Sequence, residues 1–572
     1  MGVNPLESYL KECRDIRATG AAVAETSFYP VLSNLLNEIG KTLKPKVRCV
    51  INIANRGAGL PDGGLFTADQ FQKSTDTDPK QGQLPARGVV EVKGPAADIQ
   101  HIVQSEQVER YNAKYGLVLV TNYREFLLLG RDAQGKPFPM EEFFLANSES
   151  SFWTAAIHPQ KTAKELGERF CEYLKRVMLA SAPLSGPEDV AWFLASYARD
   201  AKARIESHKD LSALAAVRSS LEDALGMKFT GEQGEHFFRS TLIQTIFYGV
   251  FSAWVLWHRE QPDRTDSFDW RIAEWSLRVP FIRALYEEVA TPSKLGPLGL
   301  VEVLDWTAGV LNRVERTTFF QQFQEEHAVQ YFYEPFLKAF DPELRKALGI
   351  WFTPPEIIQY QVARIDTVLR DELDLADGLA DPNVIILDPC CGTGGYLVEV
   401  LSRIAKTLKA KGNDALLAAD LKKAAMTRVF GFEILPAPFV VSHLQLGLML
   451  QRLGAPLSIE AHERVGVYLT NALTGWEAHG EPSLPWPELE QERASSGIVK
   501  REKAILVVLG NPPYNAFAGV SPEEEQGLVE PYKGIYYEDK VSKGKNSKNQ
   551  KVRRYRLSDP ESKGGWGIKK FN

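Results

Sequence analysis

Short apolar runs that end in small or polar residues recur through the C-terminal part of the chain. They are Val384–Leu387, Val429–Phe432 and Ala504–Leu509. Runs of this length predict buried strands, and a glycine-rich turn and an amphipathic stretch follow the first of them. A strand, a glycine-rich turn and a helix form the unit on which parallel α/β sheets bind nucleotides, because glycines let the backbone approach the ligand. The pattern therefore predicts a doubly wound sheet here.

The middle of the chain, from about residue 152 to residue 336, has apolar residues at helical spacing. Thr162–Leu174 and Leu211–Arg218 are examples. The most apolar stretch, Thr241–Trp257, is interrupted by Gln244 and is slightly short for a bilayer, so it favours a buried helix over a membrane span. The pattern predicts an all-α spacer and no membrane partner.

The N-terminal part alternates helical and strand patterns. The predicted order is helix, strand, strand, helix, strand: the amphipathic helix lies over Ala22–Leu36, the second strand over Gly88–Lys93 and the last strand over Gly116–Val120. Alternation places Glu91 and Lys93 on one face of their strand. With Asp62 alongside, two carboxylates can hold Mg²⁺ while the lysine orients or activates a water molecule. Alternatively, Glu91 and Lys93 form an exposed cross-strand ion pair without a catalytic role.

Two motifs in the predicted C-terminal sheet carry the chemistry. Asn511-Pro512-Pro513-Tyr514 follows an apolar run, and its amide and aromatic ring are suited to bind an extruded base at its exocyclic amine. The same residues also form ordinary turns. Asp388–Gly395 has neither the dinucleotide spacing nor the lysine of a phosphate-binding loop. Glu433 ends the next run, where such acids accept ribose hydroxyls, or where it is simply a solvated strand end.

In this order, the motifs resemble those of S-adenosylmethionine-dependent DNA adenine-N6 methyltransferases of the gamma arrangement. The resemblance implies that the side-chain oxygen of Asn511 and the carbonyl of Pro512 accept the two amine hydrogens, with Pro513 completing the motif and Tyr514 stacking on the flipped base. The implied cofactor contacts are Thr353, Pro354, Asp388, Pro389, Gly392, Thr393, Gly394, Glu433 and Asn471. Thr353 and Pro354 also fit a helix N-cap followed by a helix-starting proline.

The N-terminal pattern resembles the Pro-Asp…Glu-x-Lys nuclease superfamily. The resemblance implies that Asp62 and Glu91 bind the metal and that Lys93 is catalytic. Glu25 lies where many members keep an acid, and Gln107…Tyr111 matches a Gln-x-x-x-Tyr motif of a subset. Nuclease and methyltransferase together resemble a bifunctional, single-polypeptide restriction-modification enzyme, which implies a role in phage defence.

The predicted fold class is therefore multidomain α/β in a chain of 572 residues. We expect a nuclease-like α/β core over residues 1–148, a helical spacer over 149–335 and a Rossmann-like methyltransferase sheet over 336–572. Few residues follow Tyr514, whereas the family needs further strands and usually a target-recognition domain after this motif. We therefore expect an incomplete sheet that depends on a partner chain or on a missing C-terminal domain.

Charge and cysteine content refine the expected partners. The net charge of -6 does not by itself indicate a nucleic-acid binder. The stretch Lys540–Arg556, however, is basic and contains no acid, so it fits either a loop that tracks the phosphates of double-stranded DNA or a solvated loop without a partner. Five cysteines with no Cys-x-x-Cys pair favour a reducing cytoplasm and argue against a structural zinc.

Three alternatives stay open at this point. The N-terminal part can be an inactive DNA-binding remnant, or the whole chain can be a non-catalytic DNA-recognition subunit that a partner completes. The target amine can belong to adenine or to cytosine, since both bases present an exocyclic amine to the same acceptors. Asparagine and tyrosine at the ends of Asn511–Tyr514 favour adenine N6 through the resemblance.

Overall fold

A computed structural model describes most of the chain, in two compact units. The first is Met1–Ser185 with Arg313–Glu315, and the second is Gly186–Asn312 with Arg316–Asn572. The described residues are 3–71, 83–132, 134–207, 212–225, 228–272, 283, 286, 295–323, 332–342, 353–412, 417–458, 461, 463–476 and 487–512. The predicted residues Pro513 and Tyr514 and the basic stretch 540–556 lie outside them.

The first unit is built on a six-stranded sheet in the order β1-β2-β3-β4-β5-β6. Only the β3–β4 pair is parallel among these strands. The strands are β1 (Val47–Ile51), β2 (Gly63–Thr67), β3 (Val89–Val92), β4 (Val118–Thr121), β5 (Glu125–Arg131) and β6 (Pro137–Phe144). The helices are α1 (Pro5–Ala18), α2 (Tyr29–Gly40), α3 (Ile99–Val103), α4 (Glu106–Tyr115), α5 (Glu149–Ile157) and α6 (Pro159–Leu179).

Helices cover both faces of this sheet, which explains why β3 and β4 are buried on both sides. Val90 and Val92 belong to the core shared with α1, α2 and α6. Val89 faces the other core, beneath α3 and α4. Because side chains alternate along a strand, Glu91 shares the α3–α4 face.

Helix α6 closes the first core with an aromatic side chain. The Phe170 ring lies 4.9 Å from that of Phe126 and 5.2 Å from that of Phe143, centroid to centroid. The helices α5 and α6 therefore belong to the first unit, and the chain passes to the second unit after residue 185. The second unit contains the remaining described helices of the predicted spacer together with the C-terminal sheet. The predicted boundaries at residues 148 and 335 remain predictions.

The second unit combines helices with a four-stranded parallel sheet in the order β10-β7-β8-β9. The strands are β7 (Ile386–Asp388), β8 (Val429–Glu433), β9 (Val467–Leu469) and β10 (Val507–Val508). The described helices of four or more residues are α7 (Pro187–Ser207), α8 (Ser212–Leu225), α9 (Gly231–Glu260), α10 (Leu300–Asn312), α11 (Arg316–Gln322), α12 (Glu334–Phe340), α13 (Pro355–Asp371), α14 (Gly395–Ala410), α15 (Leu417–Thr427), α16 (Pro436–Arg452) and α17 (Pro487–Glu502).

Helix α9 contains the apolar stretch that was predicted as a buried helix. Within the described residues, Gly234–Arg259 is long and apolar enough to cross a membrane, but 94% of its most apolar window is buried. The helix packs against α16 of the sheet layer. Burial on nearly all sides explains why its sequence lacks a polar face.

Candidate active sites

The carboxyl edge of the parallel sheet gathers the predicted methyltransferase residues. Asp388 ends β7 and Glu433 ends β8, and the register pairs Asp388 with Gly431 and Glu433 with Leu469. Asn471 lies two residues beyond β9, and Asn511 lies three residues beyond β10. All four strands run in the same direction, so these side chains meet at one edge, where parallel α/β sheets bind their ligands.

The Asp388 carboxyl is fully buried. Its Oδ1 accepts a hydrogen bond of 3.1 Å from the backbone amide of Cys390, whereas Oδ2 has no hydrogen-bond partner within the described part of the chain. Burial, and then the charge of Glu433, raise the pKa of Asp388 to about 8. A buried polar atom without a partner is costly, and a ligand donor at Oδ2 would remove that cost.

Glu433 is also buried, with an exposed fraction of 7%. This burial excludes the interpretation of Glu433 as a solvated strand end. Burial raises its pKa to about 7 in spite of hydrogen bonds from backbone amides, including those of Ile434 at 2.9 Å and Leu435 at 2.8 Å to Oε1. These amides hold the carboxyl at the tip of β8.

The glycine-rich turn after Asp388 needs its glycines. Gly392 and Gly394 have φ values of +55° and +91°, a region that side chains with a Cβ rarely adopt. Gly394 is the N-cap of α14, so the positive end of that helix faces the turn. Thr393 is buried between them, and Pro389 is half-buried. The turn has the backbone shape of a site for a nucleotide-like ligand.

A buried lysine, Lys500, is hydrogen-bonded to the loop that contains Asn471. Asn471 Oδ1 accepts from the amide of Leu473 at 3.0 Å, and Asn471 Nδ2 has no partner within the described residues. Lys500 Nζ donates to Thr470 Oγ1 at 2.8 Å, to the carbonyl of Asn471 at 2.7 Å and to that of Thr474 at 2.8 Å. The sequence did not single out Lys500, because a lysine near a helix end is usually solvated.

Asn511 is fixed beside the end of β7. The amide of Leu509 donates to the carbonyl of Leu387 at 3.1 Å, which carries the strand pairing past Val508. A Cβ on Gly510 would lie 2.5 Å from Asp388 Oδ1, so only glycine fits directly before Asn511. Asn511 Nδ2 donates to Thr353 Oγ1 at 3.1 Å.

The structure thus places two parts of the predicted methyltransferase motifs in direct contact. Thr353 does not cap α13: the N-cap is Pro354, which is exposed. Pro512 is exposed next to Asn511, where its carbonyl is predicted to act.

The predicted nuclease residues also converge, at β3 of the first unit. Asp62 Oδ2 accepts from the amide of Val92 at 2.8 Å. Lys93 Nζ donates to Glu91 Oε1 at 2.6 Å. Glu91 is 1% exposed, which excludes the interpretation as an exposed cross-strand ion pair. Burial, and then the charge of Asp62, raise the pKa of Glu91 to about 7.

Neighbouring side chains hold the carboxylates of Asp62 and Glu91 in place. The Tyr29 hydroxyl lies 2.7 Å from Asp62 Oδ1 and 3.1 Å from Glu25 Oε1, so its single proton can be donated to either carboxylate. Gln107 Nε2 lies 3.3 Å from Glu91 Oε2 and 2.9 Å from the hydroxyl of Tyr111. Glu25 was predicted within a helix, but it precedes a short 3₁₀ turn, and α2 begins only at Tyr29. Sequence reasoning missed Tyr29, since its motif-free position carries no signal.

The donor set fits a hard cation at Asp62 and Glu91. Oxygen ligands suit Mg²⁺, and a cation would offset both the burial and the charge of Asp62 that raise the pKa of Glu91. Among the described residues there is no group of three or more side chains of the metal-binding types that could hold an ion. The two carboxylates alone would therefore need water or backbone oxygens to complete the coordination.

Among the comparisons with known proteins, a family match within the second unit is the most direct. Residues 324–530 match the family model described as N-6 DNA Methylase, which identifies a DNA N6-methyltransferase domain in this part of the chain. Families of this type use S-adenosylmethionine. The match ends within the residues that follow the Asn-Pro-Pro-Tyr motif. No curated protein matches the chain.

Three solved structures resemble the chain at low identity. The DrdV–DNA complex is 19% identical with a TM-score of 0.41, over 90% of this chain and 44% of that one. The ATP-dependent Type ISP restriction-modification enzyme LlaBIII bound to DNA is 19% identical with a TM-score of 0.37, over 64% of this chain and 22% of that one. A nuclease-deletion mutant of the Type ISP restriction-modification enzyme LlaGI in complex with a DNA substrate mimic is 17% identical with a TM-score of 0.37, over 64% of this chain and 29% of that one. The chain thus spans less than half the length of these structures.

Proposed function

We propose that the chain is a site-specific DNA adenine-N6 methyltransferase that uses S-adenosylmethionine and carries an N-terminal Mg²⁺-dependent nuclease, for restriction-modification or phage defence. The observation that supports the methyltransferase best is the common edge of β7, β8, β9 and β10, where Asp388, Glu433, Asn471 and Asn511 follow the strand ends. Two of these residues, Asp388 and Asn471, keep a buried polar atom without a partner among the described residues. A cofactor rich in hydroxyl and amino groups supplies such partners.

The roles follow from the geometry and the resemblance together. S-adenosylmethionine, when bound, supplies the electrophilic methyl group. Asp388 and Glu433 would hold it through their carboxyl groups, with the backbone of the turn at Gly392–Gly394 close to it. The side-chain oxygen of Asn511 and the carbonyl of Pro512 would accept the two hydrogens of the adenine amine, which localises the nitrogen lone pair. Tyr514 would stack on the extruded base.

Cofactor binding is the first test. Isothermal titration with the analogue sinefungin should give a measurable affinity for the whole chain and none for Asp388→Ala. Asp371→Ala, an exposed acid at the end of α13, is the matched control and should bind as the wild type does. Equal affinities in the wild type and Asp388→Ala would refute the cofactor site, provided that circular dichroism shows both chains folded.

Product analysis tests the target base. Mass spectrometry of nucleosides from treated double-stranded DNA should show N6-methyladenine and no N4-methylcytosine, and Asn511→Ala should remove the product. N4-methylcytosine alone would overturn the assignment to adenine. A folded chain that binds sinefungin and DNA but transfers no methyl group, with or without proteins co-purified from the native host, would favour a non-catalytic recognition subunit.

The nuclease module rests on the cluster of Asp62, Glu91 and Lys93, in which every carboxylate is held by a specific donor. Mg²⁺, when bound, would activate a water molecule and stabilise charge on the phosphate. Asp62 and Glu91 would hold the ion, and Lys93 would orient the water. The ammonium of Lys93 keeps its proton because, although burial lowers its pKa, the contact with Glu91 raises it above the usual value overall.

Cleavage assays separate an active nuclease from a DNA-binding remnant. With Mg²⁺ present, Lys93→Ala should lose cleavage of unmethylated DNA, whereas Lys114→Ala, an exposed lysine on α4, should cleave as the wild type does. Cleavage that is independent of Lys93 would show that the nuclease assignment is wrong. DNA binding without cleavage in every variant would favour the remnant.

A further inference from the structure

The hydroxyl of Thr353 contacts a residue far away in sequence instead of the helix that follows it. Helix α13 begins at Pro355, its N-cap is Pro354, and no side chain caps it. The hydroxyl accepts a hydrogen bond of 3.1 Å from Nδ2 of Asn511, 158 positions away in sequence. The two residues sit in separate motifs, so the fold itself creates this contact.

The backbone at Asn511 has little freedom. Leu509 is hydrogen-bonded to β7, and Gly510 is wedged so closely against Asp388 that a Cβ would lie 2.5 Å from a carboxyl oxygen. The torsion of an amide group about its last bond is, by contrast, broad and nearly two-fold, so the amide of an asparagine can turn its oxygen and nitrogen around. The contact with Thr353 is one restraint on this torsion.

The orientation of that amide decides whether Asn511 can help the reaction. An amide oxygen accepts hydrogen bonds from an amine, whereas an amide nitrogen presents two further donors to it. We propose that Thr353 is a positioning residue: its hydroxyl, which accepts from Nδ2, helps to hold the Asn511 amide in the orientation in which its oxygen can face the amine of the extruded base. This inference rests on the proposed methyltransferase function, and it gives the Thr353 side chain a role other than holding the cofactor.

Two substitutions at Thr353 test the hydroxyl, with a control on the same helix. Thr353→Val keeps the shape and removes the hydroxyl, whereas Thr353→Ser keeps the hydroxyl. Thr367 on α13 is exposed and donates only to the carbonyl of Ala363 among its described contacts, so Thr367→Val is the matched control. Single-turnover methylation of DNA at saturating cofactor and sinefungin affinity by titration are measured for each chain.

We expect Thr353→Val to slow methyl transfer roughly three- to tenfold, the effect of one neutral hydrogen bond, while sinefungin affinity changes less than twofold. Thr353→Ser should restore most of the rate, and Thr367→Val should not change it. An unchanged rate in Thr353→Val, an equal loss in Thr353→Ser, or a fall in sinefungin affinity proportional to the loss of rate would each overturn the proposal. The last result would make Thr353 a cofactor contact instead.

A spectroscopic readout decides the matter independently of activity. In the full chain labelled with ¹⁵N-asparagine, the side-chain amide signal of Asn511, assigned by its absence in Asn511→Ala, should shift in Thr353→Val and stay close to its position in Thr353→Ser. An unshifted signal in Thr353→Val would overturn the proposal even if the chain is active. A shifted signal in a chain that binds sinefungin but methylates no DNA would refute the proposed function and leave the contact intact.

Discussion

Replacing Asp388 by asparagine should stabilise the second unit in alkaline solution while it removes cofactor binding. Burial, and then the charge of Glu433, raise the pKa of the Asp388 carboxyl to about 8. The amide of Cys390 donates to Oδ1 at 3.1 Å, and an asparagine of the same shape can accept this bond. The substitution therefore changes the titrating group and leaves the local hydrogen bond in place.

The sign follows from the two protonation equilibria. The pKa of the carboxyl is about 8 in the folded chain and about 3.9 in the unfolded chain, so the folded state binds more protons between these values. The wild type therefore loses stability as the pH rises through this window, whereas the asparagine variant does not. Between pH 6 and pH 8 one such group costs the wild type ~2 kcal/mol, and above about pH 8 the loss levels off.

Urea denaturation at pH 6, 7, 8 and 9, followed by tryptophan fluorescence, measures this effect. The free energy of unfolding of Asp388→Asn minus that of the wild type should grow by ~2 kcal/mol from pH 6 to pH 8, because titrating groups common to both chains largely cancel. The same variant should not bind sinefungin. A difference that stays constant with pH, or that shrinks as the pH rises, would refute the interpretation of Asp388 as a buried, protonated acid.

Two further substitutions test close contacts. Gly510→Ala should abolish sinefungin binding, because its Cβ would lie 2.5 Å from Asp388 Oδ1. Gly447→Ala in α16 is the control: no atom lies within 4 Å of its Cβ, so this variant should keep binding and gain up to about 1 kcal/mol of stability. Binding retained by Gly510→Ala would contradict the packing. Glu141→Gln leaves the buried guanidinium of Arg176 without its carboxylate and should cost about 3–5 kcal/mol, which thermal unfolding measures, while the double variant with Arg176→Met should regain most of it. A double variant as unstable as Glu141→Gln would refute that account.

The sequence predicted where acids and amides lie at the strand ends, for a physical reason. Parallel strands end at one edge, so an acid or amide that follows an apolar run is placed by topology alone, as Asp388 and Glu433 are. The same holds for Glu91 and Lys93, whose common face follows from the period of a strand and whose side chains touch. The sequence pattern did not show whether Glu91 is buried or exposed. Its exposed fraction of 1% shows that it is buried.

Contacts that span many residues escaped prediction. Tyr29 reaches Asp62 from a helix 33 positions away, and Lys500 reaches the loop of Asn471 from 29 positions away. Neither belongs to a motif, and their partners are fixed only when the core packs. The β1 strand and the β5–β6 pair were also not predicted, although β5 and β6 are longer than the predicted β3 and β4. The core around Phe170 likewise places α6 in the first unit, although its sequence reads as one more helix of the spacer.

Two buried acids among the described residues, Glu141 and Asp388, differ in what compensates them. Glu141 is buried against Arg176, so its charge is matched within the first unit and it needs nothing from outside. Asp388 is equally buried, but its Oδ2 has no partner within the described residues and its pKa is raised to about 8. A fold tolerates such a cost where a ligand removes it, because acids with raised pKa values concentrate at functional sites. The uncompensated Oδ2 of Asp388 therefore supports the proposed cofactor site, whereas the pairing of Glu141 with Arg176 serves the packed interior of the first unit.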